Sequence, residues 1–162
     1  LTVGFDGGGT GLVRFATADI AKADWTLAAI TTDGADPSLF ADDDGTRWWV
    51  TDGGRLARLK PDPMNGLAEE PRAVVVAKVD TKVRSDPSER VGSHGAFLAK
   101  IDAWYHLFAA DRPTRDGLGR LATPGGTHDT YVAVAKDVRG PYGPRYLAFP
   151  HAGQATLFRD GK

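Results

Sequence analysis

Apolar residues along this chain recur in short alternating or doubled runs rather than at helical spacing. Asp36-Pro37-Ser38-Leu39-Phe40-Ala41 leads into the acidic turn Asp42-Asp43-Asp44-Gly45, and Arg47-Trp48-Trp49-Val50 returns from it. A bulky run on each side of a turn closed by Gly predicts a β-hairpin. The same form starts again 58 residues on, at Phe97-Leu98-Ala99-Lys100-Ile101, and returns as Trp104-Tyr105-His106-Leu107-Phe108. A third start follows after 60 more residues, at Leu157-Phe158-Arg159-Asp160-Gly161. Hairpins at a near-constant interval predict a repeat architecture.

Each repeat has further strands. Residues 12–19, 55–62 and 131–137 alternate small and large side chains and close on Asp at a turn, and poorer strands follow at 25–30, 72–77 and 145–149. Four antiparallel strands per repeat predict the blade of a β-propeller, an all-β fold in which radial repetition leaves few open sheet edges. On this reading residues 1–33 end one blade, 34–79 form a second, 92–149 a third, and 150–162 begin a fourth. The three prolines of 61–71 mark a connection, because proline cannot donate to a ladder. Residues 80–91 link two repeats, and the long loop 112–128 is expected to border a binding site. No stretch of ten residues shows the period of an amphipathic helix.

Composition narrows the class of partner. Hydrophobic content of 41% with 25% charge excludes a disordered chain, and 162 residues suffice for one core. A net charge of −1 gives no electrostatic ground for nucleic acid or an anionic membrane, and no apolar run approaches the ~20 residues of a membrane span. With no cysteine, disulfides and thiolate metal sites are excluded. The chain starts with Leu rather than Met and stops in a hairpin turn, so a fragment is expected.

Several residues are candidates for chemistry. Asp6-Gly7-Gly8-Gly9-Thr10 resembles the first phosphate loop of the sugar-kinase, actin and hexokinase superfamily; the plain alternative is a glycine loop between strands. In a propeller the innermost strands begin near the axis, so equivalent positions converge on one mouth. Three residues before each repeated apolar pair stand Asp36, His94 and Gln154. A carboxylate facing an imidazole there is an acid–base pair suited to proton transfer near neutral pH. Equally, Asp36 can cap the turn before Pro37 while His94 is a rim residue. His128-Asp129, closing the long loop, are placed to reach a substrate. Asp42-Asp43-Asp44-Gly45 has no Glu at the twelfth loop position, which is Gly53, and reads as a hairpin turn rather than a calcium loop. Trp48, Trp49, Trp104 and Tyr105 read as sheet packing, and His106 as a core histidine.

The succession of motifs also resembles a known family. Asp36-Pro37-Ser38-Leu39-Phe40 with Asp43-Asp44-Gly45, His94-Gly95-Ala96-Phe97-Leu98 with Trp104–Phe108, Tyr131–Asp137 with Gly140-Pro141-Tyr142, and Pro150–Phe158 look like successive blades of a glycoside hydrolase family 43 catalytic domain. The resemblance implies a partial five-bladed propeller from a protein that hydrolyses O-glycosidic bonds in plant or algal polysaccharide of arabinan or xylan type. It implies inversion by an acid and a base, with a third carboxylate holding the acid. Asp36 matches the third carboxylate, and His94 stands where the family's acid Glu would precede Gly-Ala. The base belongs to a blade upstream of residue 1. A His acid with two Asp is similar to glycoside hydrolase family 117; a non-catalytic carbohydrate-binding propeller is the alternative. Gln154 stands where the family often has a His near an axial calcium ion, the one cofactor the resemblance suggests, and His128 and Gln154 are the expected substrate contacts. The sequence does not fix the compartment; a secreted or periplasmic location is expected over a cytoplasmic one.

Overall fold

The computed structural model describes residues 2–4, 9–15, 21, 25–31, 35–80, 85–86, 89–112, 128–153, 155 and 157. Among these there is no α-helix, and no helix long and apolar enough to cross a membrane. The chain runs β1 (Thr2–Gly4), β2 (Thr10–Phe15), β3 (Trp25–Thr31), β4 (Ser38–Ala41), β5 (Arg47–Thr51), β6 (Arg55–Arg58), a 3₁₀ turn at Pro63–Asn65, and β7 (Arg72–Ala73). It continues through β8 (Val79–Asp80), β9 (Ser85–Asp86), β10 (His94–Ile101), β11 (Trp104–Asp111), β12 (Asp129–Ala135) and β13 (Tyr146–Phe149). The strands form a three-stranded sheet β1-β2-β3, two four-stranded sheets β4-β5-β6-β7 and β10-β11-β12-β13, and the ribbon β8-β9. Every neighbouring pair in these sheets is antiparallel, giving the meander of a propeller blade.

The hairpins follow from local chemistry. In the first, the amide of Asp42 donates to Thr46 O (2.9 Å) and that of Gly45 to Asp42 O (3.0 Å), with Gly45 at φ +84°. The Asp44 carboxylate accepts from the Thr46 amide (2.8 Å), so the acidic run is a turn built on its own side chains. Asp62 does the same for the amide of Met64, capping the short turn between β6 and β7.

Alternation explains how the sheets stack. In β5, Trp48 and Val50 point one way and Trp49 the other, and all three are buried. Trp48, Val50 and Leu56 join Leu98, Tyr105, Leu107 and Ala109 of the following sheet in the main core. Trp49, Ala57 and Leu59 pack instead with Leu12 of the preceding sheet. The middle sheet is therefore covered on both faces. Trp104 departs from the packing expectation: it is 42% exposed and lies under the Lys136 ammonium, 4.3 Å from its ring centre. His106 is half-buried, with Nδ1 3.2 Å from Trp104 O.

Close backbone approach fixes the two full blades against each other. A Cβ on Gly92 would lie 2.5 Å from Ala110 O, and one on Gly53 would lie 2.3 Å from Gly92 O, so neither position has room for a side chain. The inner strands β4 and β10 also run side by side. Ser38 Oγ donates to Ala96 O (2.7 Å), and Lys100 Nζ meets Asp42 Oδ1 (2.8 Å). Both contacts span 58 residues, the interval between the first two hairpin starts.

Candidate active site

The site lies where β4 and β10 begin. Asp36 precedes β4 in a left-handed conformation (φ +51°), which Asp tolerates better than most residues. The residue before it is clamped: the Ala35 amide donates to Asp52 Oδ1 (2.7 Å), and Ala35 O accepts from Thr51 Oγ1 (2.7 Å). This turn carries the Asp36 carboxylate across to the next blade, where Oδ2 accepts from the Gly95 amide at 3.2 Å. Asp36 and the backbone beside His94 are thus joined, as the repeat spacing predicts.

His94 opens β10 opposite Ala110, and the register breaks between His94 and Phe97. Such a bulge re-aims side chains at the end of a strand. The segment leading to it is anchored below: the Ser93 amide donates to Ala110 O (2.8 Å) and Ser93 Oγ to Asp111 Oδ1 (2.8 Å). Asp111 Oδ2 in turn holds Arg145 Nη1 at 2.6 Å, and the same Nη1 donates to Val91 O at 3.0 Å. The Arg145 guanidinium also lies 4.3 Å from the Tyr131 ring centre. Both charged residues are buried, each 8% exposed.

Above this base stands a histidine pair. His94 and His128 meet edge to face, with ring centres 5.3 Å apart and planes at 86°. Arg112 Nε donates to His128 Nε2 at 3.1 Å. The backbone of 151–153 runs close to His128, tied down by the His151 amide donating to Asp129 Oδ1 (2.8 Å) and by Thr130 Oγ1 donating to Ala152 O. A Cβ on Gly153 would stand 2.6 Å from that of His128, so this approach needs glycine.

Asp36, His94 and His128 therefore belong to one cluster, exposed or half-buried at one end of the sheets. Gln154 lies outside the described residues, as do residues 113–127 of the long loop and Asp6, Gly7 and Gly8 of the glycine-rich stretch. Arg112, Gly95 and the Asp111–Arg145 pair were not singled out from the sequence. Only the start of the long loop at Arg112 gave a signal, because a backbone amide and a buried ion pair between distant residues leave no local pattern. The axial calcium would need donors that converge, and among the described residues no three His, Asp or Glu side chains do so.

A second polar cluster lies at the opposite ends of the same strands. Asp42 binds Lys100 Nζ through Oδ1 (2.8 Å) and the Tyr105 hydroxyl through Oδ2 (2.5 Å), and Asp43 Oδ2 also reaches Lys100 (2.9 Å). Burial pushes the Asp42 carboxyl up, but hydrogen bonds from Lys100, Tyr105 and the Asp43 amide outweigh it and hold the group below the usual carboxylate range. The hydrogen bonds to Asp42 and Asp43 push the Lys100 ammonium up, and the bond to Asp42, with burial, raises the Tyr105 phenol. Beyond β4 a cleft of about 420 Å³ separates the first two sheets, lined by Leu12, Arg14, Leu39, Phe40, Leu59 and Met64 among others. Asp36, His94 and His128 do not line it.

Sheets of this topology, with a polar cluster at the inner strand starts, define part of a β-propeller of the glycoside hydrolase class. The profile of "Glycosyl hydrolases family 43" matches residues 5–150, and the chain belongs to that family. Solved structures agree on the fold. A family 43 protein from Bacillus licheniformis superposes with a TM-score of 0.59 at 19% identity, over 84% of this chain and 22% of that one. A xylan β-1,4-xylosidase from Bacillus halodurans gives 0.56 at 21%, over 88% and 25%. An arabinoxylan arabinofuranohydrolase from Bacillus subtilis, in complex with cellotetraose, gives 0.57 at 16%, over 91% and 32%. The chain is thus a partial five-bladed propeller, spanning between a fifth and a third of these proteins' length. A search of curated protein sequences finds no match. With the family settled, the kinase expectation drawn from Asp6–Thr10 is not carried further.

Proposed function

We propose that these residues carry the acid half of an inverting glycosidase site that acts on arabinan- or xylan-type polysaccharide. The observation that supports this most is the bond from the Gly95 amide to Asp36 Oδ2, which brings a carboxylate beside His94 at the mouth of two adjacent blades. In the reaction, the His94 imidazolium donates its proton to the glycosidic oxygen as the bond to the anomeric carbon breaks. A water attacks that carbon from the opposite face, losing its proton to a carboxylate supplied from outside residues 1–162. Asp36 orients the acid, and neutral His94 regains a proton from solvent. Two fold neighbours, a xylosidase and an arabinofuranohydrolase, favour a pentose polymer as substrate. A polymeric substrate favours a secreted or periplasmic enzyme.

The test is hydrolysis of arabino- and xylo-oligosaccharides by the full-length protein. Replacing His94 with Ala should lower kcat by about 10²- to 10⁴-fold, the usual contribution of a general acid. Unchanged turnover in His94→Ala would refute the assignment. The 162-residue stretch made alone should release no sugar. Because His94 occupies the place of a Glu, a carbohydrate-binding role without turnover is the second reading. It predicts calorimetric binding of oligosaccharide by a full-length protein that is inactive both as it stands and as His94→Glu.

A further inference from the structure

Arg112 and His128 form a pair whose donor and acceptor roles are fixed by chemistry. An arginine Nε always carries hydrogen and can only donate. Its 3.1 Å contact therefore requires a lone pair on His128 Nε2, which leaves the single ring proton of His128 on Nδ1. A protonated His128 would present N–H to N–H and set two cations against each other. The ring so fixed meets His94 edge to face, and its Cβ lies close to the Gly153 backbone. Its movement is restricted by the ties from Asp129 and Thr130 to residues 151 and 152.

We propose that His128 is a positioning residue for His94, and that Arg112 holds it in one tautomer against the His94 ring. This rests on His94 being the acid of the reaction proposed above. The ring so fixed confines His94 through their edge-to-face contact, while the Asp36 carboxylate is held on the Gly95 amide beside it. Arg112 is a cation one bond removed from the reacting group, acting through His128 rather than on the sugar.

Two kinds of measurement on the full-length protein test this. Histidine-selective ¹⁵N labelling with two-bond ¹H–¹⁵N correlation identifies the protonated ring nitrogen, with His128→Phe assigning the resonance. Nε2 of His128 should be bare in the native protein and should lose that preference in Arg112→Met; a proton on Nε2 in the native protein overturns the proposal. In kinetics, His128→Ala should lower kcat by about tenfold to a hundredfold, the scale of a slightly misplaced group, with KM changed less than about threefold. His128→Phe keeps the ring contact and should lose less kcat than His128→Ala, and Arg112→Met should then cost nothing further in that background. Equal losses in the Phe and Ala variants, or no loss in either, overturn it; if the Ala variant does not fold, the Phe and Arg112→Met pair decides. Should the full-length protein prove inactive on every sugar, the glycosidase reading fails separately. The tautomer and the shift of the His94 ring resonances in His128→Phe still decide the contact.

Discussion

Asp111 offers the sharpest test of what holds the candidate site in place. Its carboxylate accepts from Arg145 Nη1 at 2.6 Å, Ser93 Oγ at 2.8 Å and the Arg112 amide at 3.0 Å. One residue thereby gathers the end of β11, the start of the long loop, the run into His94 and the segment before β13. Asp111→Ala would take this carboxylate from the buried Arg145 guanidinium and leave its bond to Val91 O and its contact with the Tyr131 ring in place. Breaking a buried pair on one side costs about 3–5 kcal/mol, because the surviving charge stays desolvated. That is a large part of a typical net stability of about 5–15 kcal/mol. With a urea m-value near ~2 kcal/mol/M, the unfolding midpoint should fall by about 1.5–2.5 M. Tryptophan fluorescence reports the transition, since Trp48 and Trp49 lie in the two cores. Removing both charges, as Asp111→Leu with Arg145→Met, should recover at least half the loss, as apolar replacement of buried ion pairs commonly does. A midpoint shift below ~0.5 M for Asp111→Ala would refute the reasoning, since removing one side of a buried ion pair cannot be that cheap.

Other expectations follow from the same contacts. Asp36→Asn keeps an acceptor for the Gly95 amide but removes the charge beside His94; it should reduce kcat on oligosaccharide by about tenfold or more while the unfolding midpoint stays within ~0.3 M of native. The stabilising cluster at Asp42 should be sensitive to pH. Because the folded carboxyl is depressed, its contribution is complete above the ordinary carboxyl value of 3.8 and is lost as pH falls further. The stability gap between native protein and Asp42→Asn should be level from about pH 5 to 9 and close in stronger acid, as followed by urea midpoints; a gap that widens on acidification would contradict it. Gly92→Ala should cost more than about 2 kcal/mol, because the obstacle 2.5 Å away is the Ala110 carbonyl rather than a movable side chain. A thermal melt within about 1 °C of native would show that the backbone yields there.

How much of this could be read from residues alone depends on the range of the interaction. The doubled apolar runs around 39–50 and 97–108 predicted their hairpins, because strand alternation and turn chemistry are local. The 58-residue interval also aligned β4 with β10 and brought Asp36 to His94, since a repeat converts sequence spacing into spatial register. Strand lengths were less legible. The strand expected at 72–77 pairs only over Arg72–Ala73, and the chain past it bonds instead to Tyr142, with the Ala77 amide reaching Tyr142 O and the Tyr142 amide reaching Val75 O. Trp104 looked like its neighbours, yet its side faces out beneath Lys136. The Asp42 turn read correctly as a turn, but its hold on Lys100 and Tyr105 depends on a strand 58 residues away. The ion pair under His94 joins the end of β11 to the segment before β13, 34 residues on, and nothing in either neighbourhood announces it.

The tether on Asp36 grips the main chain at Gly95 and asks nothing of the side chain at position 94. Whatever residue occupies that place, the neighbouring blade meets the same N–H. The side chain at position 94 is in this way uncoupled from architecture: it can be replaced without loosening the joint between blades. A scaffold so made lets the group at that place change by a single codon, and leaves the cost of the change to be counted at the mouth rather than in folding.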